Sequence, residues 1–145
     1  MKERILVAID GSDNSLQALA EAVKLAEANP SKLYLVNVQP SFHTIHTRLF
    51  IGENMIREYQ TELFEKAVEP AVQYLEGRDI DYVVLMKVGD PIYQICHLAR
   101  DLNAKYIVMG SRGMGLIRGT VLGSVSSGVL HETEIPMLII PQKVK

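Results

Sequence analysis

Cysteine is almost absent. Cys96 is the sole one in 145 residues, which excludes an intrachain disulfide and a multi-thiol metal site and suits a reducing compartment. An excess of charge of either sign is missing too. Fifteen basic and 17 acidic residues leave a formal net charge of −2, so no whole-chain field draws nucleic acid or an anionic membrane to the protein, and any anion it binds must be held by local geometry. Long apolar runs are also lacking. Met1-Lys2-Glu3-Arg4 leads into only the short run Ile5 to Ile9, which is too short for a signal-peptide core. No stretch approaches the roughly 18 apolar residues that a membrane span needs. The expected setting is therefore the cytoplasm, with no nucleic-acid partner and no membrane. No repeat, low-complexity tract or linker divides the chain, and its 48% hydrophobic and 22% charged residues are ordinary for one globular domain.

What is present is an alternation of short apolar runs with amphipathic stretches. Arg4 to Asp10 reads as a strand buried on both faces and closed by a turn, with Ser12 or Asp13 placed to cap a helix. Leu16, Leu19, Ala20, Val23 and Ala26 recur at helical spacing up to Asn29-Pro30. Leu33 to Val38 is a second strand, and Gln39 to Gly52 carries no period and reads as a loop. Ile56, Tyr59, Leu63, Ala67, Ala71 and Tyr74 mark a long helix from Glu53 to about Glu76, which Pro70 should kink and Gly77 should end. Ile80 to Val88 is a third strand, and Asp90-Pro91 starts a third helix. Tyr106 to Met109 is a fourth strand, Gly110 to Gly123 opens a fourth helix, and Ile135 to Ile140 is a fifth strand. Strand and helix in strict alternation predict an α/β fold: one open, doubly wound parallel five-stranded sheet with helices on both faces.

The chemistry concentrates after the fourth strand. Gly110-Ser111-Arg112-Gly113 is followed, nine residues later, by Gly123-Ser124-Val125-Ser126. Glycines let the backbone approach an anion closely, and a helix that starts there adds unpaired N–H groups and its positive end. Ser124 and Ser126 can donate hydroxyls to phosphate oxygens, while Arg112 and Arg118 supply positive charge. No Walker A loop occurs. The dinucleotide fingerprint fails as well, because the glycines follow the fourth strand and Gly119 comes one residue too late after Gly113 and Gly115.

The spacing Gly-x2-Gly-x9-Gly-Ser, at Gly110, Gly113, Gly123 and Ser124, resembles the ATP-binding branch of the universal stress protein family. The resemblance extends to the opening Ile5-Leu6-Val7-Ala8-Ile9-Asp10-Gly11-Ser12, to the Val38 strand end and to Gly89-Asp90-Pro91. It implies strand order 3-2-1-4-5, one nucleotide-binding domain over residues 1–145, and ATP across the ends of strands one, two and four. Independently, the strand order of such a sheet reverses between strands one and four, and ligands settle outside the carboxyl ends at that switch. By the same resemblance Ala8 and Val38 would form the adenine pocket and Met109 the adenosine wall. Asp10 would meet the nucleoside or a phosphate-bound metal, Mg²⁺ or Mn²⁺. Gly110, Arg112, Gly113, Gly123, Ser124, Val125 and Ser126 would line the ribose and phosphates.

Plainer readings stand beside these. The glycines can be turn chemistry, and Asp10-Gly11-Ser12 can be an ordinary capped turn. His43 and His46 lack a third metal ligand, Cys96 reads as a packed and inert thiol, and for His97 and His131 a Ser-His-Asp reading has no support beyond composition. Three functions remain in view: a module that holds ATP and presents a nucleotide-dependent surface to a protein partner, a slow ATPase or phosphotransferase, and a structural stress protein without nucleotide. The apolar fifth strand, Met137 to Ile140, is expected at a sheet edge and predicts a homodimer by antiparallel pairing.

Overall fold

Ile5, Leu6 and Val7 are each no more than 1% exposed, as a strand whose apolar run never breaks requires. They belong to β1 (Glu3–Ala8) in a computed structural model that describes residues 2–41, 52–112 and 122–143. The chain continues through α1 (Asp13–Ala28), β2 (Ser31–Gln39), α2 (Glu53–Leu75), β3 (Asp81–Val88), α3 (Pro91–Asp101), β4 (Tyr106–Gly110), α4 (Ser124–Glu132) and β5 (Met137–Ile140). All sheet pairings are parallel, and the order is β3-β2-β1-β4-β5. The expected architecture is therefore the one observed.

The two sheet faces are covered by different helices. On one, Ile5, Val7, Leu33 and Leu35 pack with Ala18, Leu19 and Val23 of α1 and with Val68 and Ala71 of α2. On the other, Leu6, Val36, Ile107 and Met109 pack with Ile95, Leu98 and Ala99 of α3 and Val129 of α4. Ser12 caps α1, its side chain accepting from Ser15 N, and Asp90 caps α3 by accepting from Tyr93 N with Pro91 in the first turn.

Helix α2 runs from Glu53 to Leu75 with Pro70 inside it. Several local expectations shift. The buried face of α2 is Ile56, Gln60, Val68, Ala71 and Leu75, whereas Tyr59 is 52% exposed. Gln60 is buried because its Nε2 donates to Pro40 O at 3.0 Å, so a polar residue takes an inward position. Strand β5 starts at Met137 and not at Ile135, since Ile135 N is held in a turn by Thr133 Oγ1 at 3.0 Å. The stretch read as a loop lies mostly outside the described residues, His43 and His46 included, and Gln39 itself closes β2.

Cys96 is buried. Burial pushes its thiol pKa up, the Glu132 carboxylate adds to the rise, and the Arg100 guanidinium opposes it. Because the native pKa is raised, the neutral thiol's contribution to stability is complete below the unfolded pKa and is lost as pH climbs through the native one. Cys96 is therefore expected to alkylate at neutral pH at least tenfold more slowly in the native protein than in denaturant, followed by mass spectrometry. Equal rates would contradict its burial.

Candidate functional site

Strand order reverses at β1, which has β2 on one side and β4 on the other. From the carboxyl end of β1 the chain leaves toward α1 on one face, and from β4 it leads to α4 on the opposite face. A crevice must open between two connections that diverge in this way. A cleft of about 360 Å³ lies there, within the size range typical of small-molecule sites. Its walls are apolar: Ala8, Val36, Val38 and Met109 from the strand ends, with Pro91 and Ile95 from α3. Its rim is polar, with Asp10, Ser15, Arg112, Gly123, Ser124 and Ser126.

The Asp10 corner is a side-chain-stabilised turn. Asp10 Oδ1 accepts from Ser12 N at 2.9 Å and also from the Ser12 hydroxyl. That hydroxyl oxygen accepts in turn from Ser15 N at 3.1 Å. Gly11 between them has φ +88°, and a Cβ there would come 3.2 Å from Ala67 Cα, so the turn needs glycine. Asp10 thus shapes the turn and lines the cleft at once.

Opposite Asp10 stands the start of α4. Gly123 is its N-cap, with no side-chain cap hydrogen bond. The first intrahelical bond runs from Ser127 N to Gly123 O, so the amides of Ser124, Val125 and Ser126 have no acceptor within the helix. All three residues line the cleft. The Ser126 hydroxyl is drawn inward, donating to Ser111 O at 2.9 Å from a side chain 2% exposed. Gly123 N donates to the same carbonyl, so Ser111 fixes where α4 begins. Its own N–H is held by Ile140 O at 2.8 Å.

Behind this corner sits Asn14, 1% exposed. Its Nδ2 donates to Ile140 O at 3.1 Å, and its Oδ1 accepts from Arg112 N at 2.9 Å. Gly110 packs on it: a Cβ on Gly110 would lie against Oδ1 and 2.5 Å from Cγ. The first glycine of the motif therefore has a packing reason that sequence alone did not reveal.

The edge of β2 also faces the cleft. Val36 accepts from Ile9 N through its carbonyl at 2.9 Å. Two residues on, Val38 turns its own N–H and C=O to the same side, where β1 has already ended. Gln39 turns the other way, its carbonyl accepting from Gly89 N at 2.9 Å.

Ala8, Asp10, Val38, Met109, Gly110, Arg112, Gly123, Ser124, Val125 and Ser126 are thus gathered on one cleft, although they come from opposite ends of the sequence. Gly113 and Arg118 lie outside the described residues. Ile9, Ser15, Val36, Asn37, Pro91 and Ile95 also line the cleft and were not expected. For some of these a signal existed: Val36 is one strand period before Val38, and Ile95 one helical turn after Pro91. His97 pairs with Asp101 at 3.2 Å one turn along, but the pair is outside the cleft. No cluster of three or more metal-ligating side chains occurs among the described residues, and no described helix is long and apolar enough to cross a membrane.

The chain matches the model of the Universal stress protein family over residues 1–141. It is 31% identical over 147 residues to universal stress protein YxiE of Bacillus subtilis, an alignment covering 97% of this chain and 99% of that protein. Among solved structures, hypothetical protein MJ0577, the subject of a structure-based assignment of biochemical function, superposes with a TM-score of 0.85 at 25% identity, covering 100% of this chain and 99% of that one. The universal stress protein from Archaeoglobus fulgidus in complex with dAMP superposes with a TM-score of 0.71 at 20% identity, covering 97% and 98%. Strand order, the position of the cleft and nearly full-length similarity agree that this chain belongs to the universal stress protein family.

Proposed function

We propose that the cleft binds ATP and that the protein is a nucleotide-responsive regulatory module of the stress response, working in the cytoplasm and acting on a protein partner. The observation that carries this reading is the helix start without a side-chain cap, Gly123 to Ser126, on the polar rim of a cleft with apolar walls. Open amides and a helix dipole suit phosphate oxygens. The apolar walls suit a planar base, and the N–H and C=O of Val38 can pair with the base edge. The dAMP complex of the Archaeoglobus fulgidus relative is consistent with an adenine nucleotide here.

Asp10 is the one carboxylate lining the cleft among the described residues. Together with phosphate oxygens it provides the hard oxygen donors that Mg²⁺ or Mn²⁺ prefers. The cation would neutralise phosphate charge, and the residues of the chain would bind and orient the nucleotide. Calorimetric titration tests this reading. ATP should bind, Mg²⁺ should tighten it, and Ser124→Ala should weaken it about tenfold or more, the loss of one hydrogen bond to a charged group. Absence of binding at millimolar ATP with Mg²⁺ would overturn the nucleotide reading.

Assembly is proposed through β5. Among the described residues it pairs only with β4, and it carries half-buried Met137, Leu138 and Ile139, an edge that antiparallel pairing of two copies would cover. Analytical ultracentrifugation at micromolar concentration should give a dimer. A monomer there would contradict this assignment.

A further inference from the structure

On the sheet face that meets α1 and α2, β2 continues Leu33 and Leu35 with Asn37 and Gln39, and the two amides are buried as deeply as the core, 4% and 6% exposed. Amides in an apolar row cost stability unless partnered. Here Gln39 Nε2 donates to Asn37 Oδ1 at 2.6 Å, and Asn37 Nδ2 donates to Ile9 O at 2.7 Å. The order is forced. Ile9 O can only accept, so Asn37 must face it with its NH2 group, which leaves Oδ1 for the NH2 of Gln39.

Ile9 is the first residue beyond β1. Its N–H still bonds Val36 O at 2.9 Å, but its carbonyl is met by the Asn37 side chain, which stands in for the next rung of the ladder. The following residue is Asp10, whose carboxylate holds Ser12 N. Gln39 contributes at the other corner, where its carbonyl holds Gly89 N just before Asp90 and Pro91. The amide pair therefore anchors the turn that follows β1, while the turn after β3 is held separately by the Gln39 backbone carbonyl.

Two leucines at positions 37 and 39 would extend the apolar row with no desolvation cost, and replacing both members of a buried polar pair by apolar groups is often neutral for stability. The one group leucines could not serve is Ile9 O. We propose that Asn37, backed by Gln39, is a positioning residue that fixes the Ile9–Asp10 corner in the orientation nucleotide binding needs. This rests on the nucleotide reading of the cleft.

The test compares Asn37→Leu with Asn37→Leu/Gln39→Leu. The single change orphans Gln39 Nε2 as well as Ile9 O and should lower the melting temperature, and the double change should recover the part due to Gln39. In the folded double variant, hydrogen exchange at Ile9 and Ser12 N–H should be at least tenfold faster than in the wild type, while Val7 in the same sample is unchanged. ATP should bind the double variant at least tenfold more weakly. On an Asp10→Ala background, adding the same two leucines should weaken ATP less than threefold, because the corner they loosen no longer carries its carboxylate. Wild-type exchange at Ile9 and Ser12 together with wild-type ATP affinity in the double variant would overturn the proposal and leave Asn37 a packing residue. If the wild type binds no ATP, the nucleotide reading falls by itself, and the exchange rates still decide whether Asn37 holds the corner.

Discussion

Replacing Gly110 with alanine is expected to destabilise the protein by about 2 to 3 kcal/mol, the usual cost of forcing extra volume into a packed interior. At this chain length that lowers the melting temperature by roughly 10 °C. The new methyl would meet the amide of Asn14. That amide cannot swing aside cheaply, because Ile140 O and Arg112 N hold it from two directions. Asn14→Ala makes room but removes its bonds to Arg112 N and Ile140 O, the carbonyl keeping only Ser111 N, at about 1 to 3 kcal/mol. The two changes share one cause, so Gly110→Ala/Asn14→Ala should cost at least about 1 kcal/mol less than the sum of the single changes. Denaturant unfolding of the four proteins measures the cycle. If Gly110 served only to let phosphate approach, Gly110→Ala would leave stability unchanged and the cycle would be additive.

Ala8→Phe should produce the opposite pattern, a large loss of ligand with little loss of fold. Ala8 lines the apolar wall on the α3 and α4 face, and a benzyl group there would project into open cleft space instead of packed core. Stability should stay within about 1 kcal/mol of the wild type. ATP affinity should fall at least about a hundredfold, equivalent to about 2.7 kcal/mol. The thermal stabilisation that ATP gives by mass action, about 2.7 kcal/mol at a hundred times the dissociation constant, should vanish with it. An unchanged ATP-induced shift in a folded Ala8→Phe protein would put the base elsewhere.

Much of this molecule was legible in its sequence because the relevant signals are local. The unbroken run Ile5-Leu6-Val7 marks a strand covered on both sides, Ser12 and Asp90 mark helix starts, and alternation of the two element types fixes a parallel sheet. The cleft followed from topology, since a ligand site belongs where strand order reverses. What stayed hidden depends on long-range polar contacts. Asn14 reads as an ordinary polar residue in a first helical turn, yet its partners lie 98 and 126 residues away. Asn37 reads as a polar residue near a strand end and Gln39 as the start of a loop, but both are buried because β1 stops at Ala8 and leaves a carbonyl to satisfy. Gln60 misled the reading of α2 in the same way, since its bond to Pro40 O lets it point inward and turns Tyr59 out. Gly110 was recognised as special for its spacing, while its collision with Asn14 is visible only in three dimensions.

In the proposed complex, phosphates are held by the first turn of α4 while the base lies between the ends of β1, β2 and β4. Titrating ¹⁵N-labelled protein with ATP and Mg²⁺ tests both halves in one experiment, by the amide resonances that move. Saturable shifts are expected at Ser124, Val125 and Ser126 and at Val38, with Val23 and Leu75 on the far face of the sheet unmoved. Saturable binding that leaves Ser124 to Ser126 unshifted, or no shift anywhere at millimolar ATP, would contradict this arrangement.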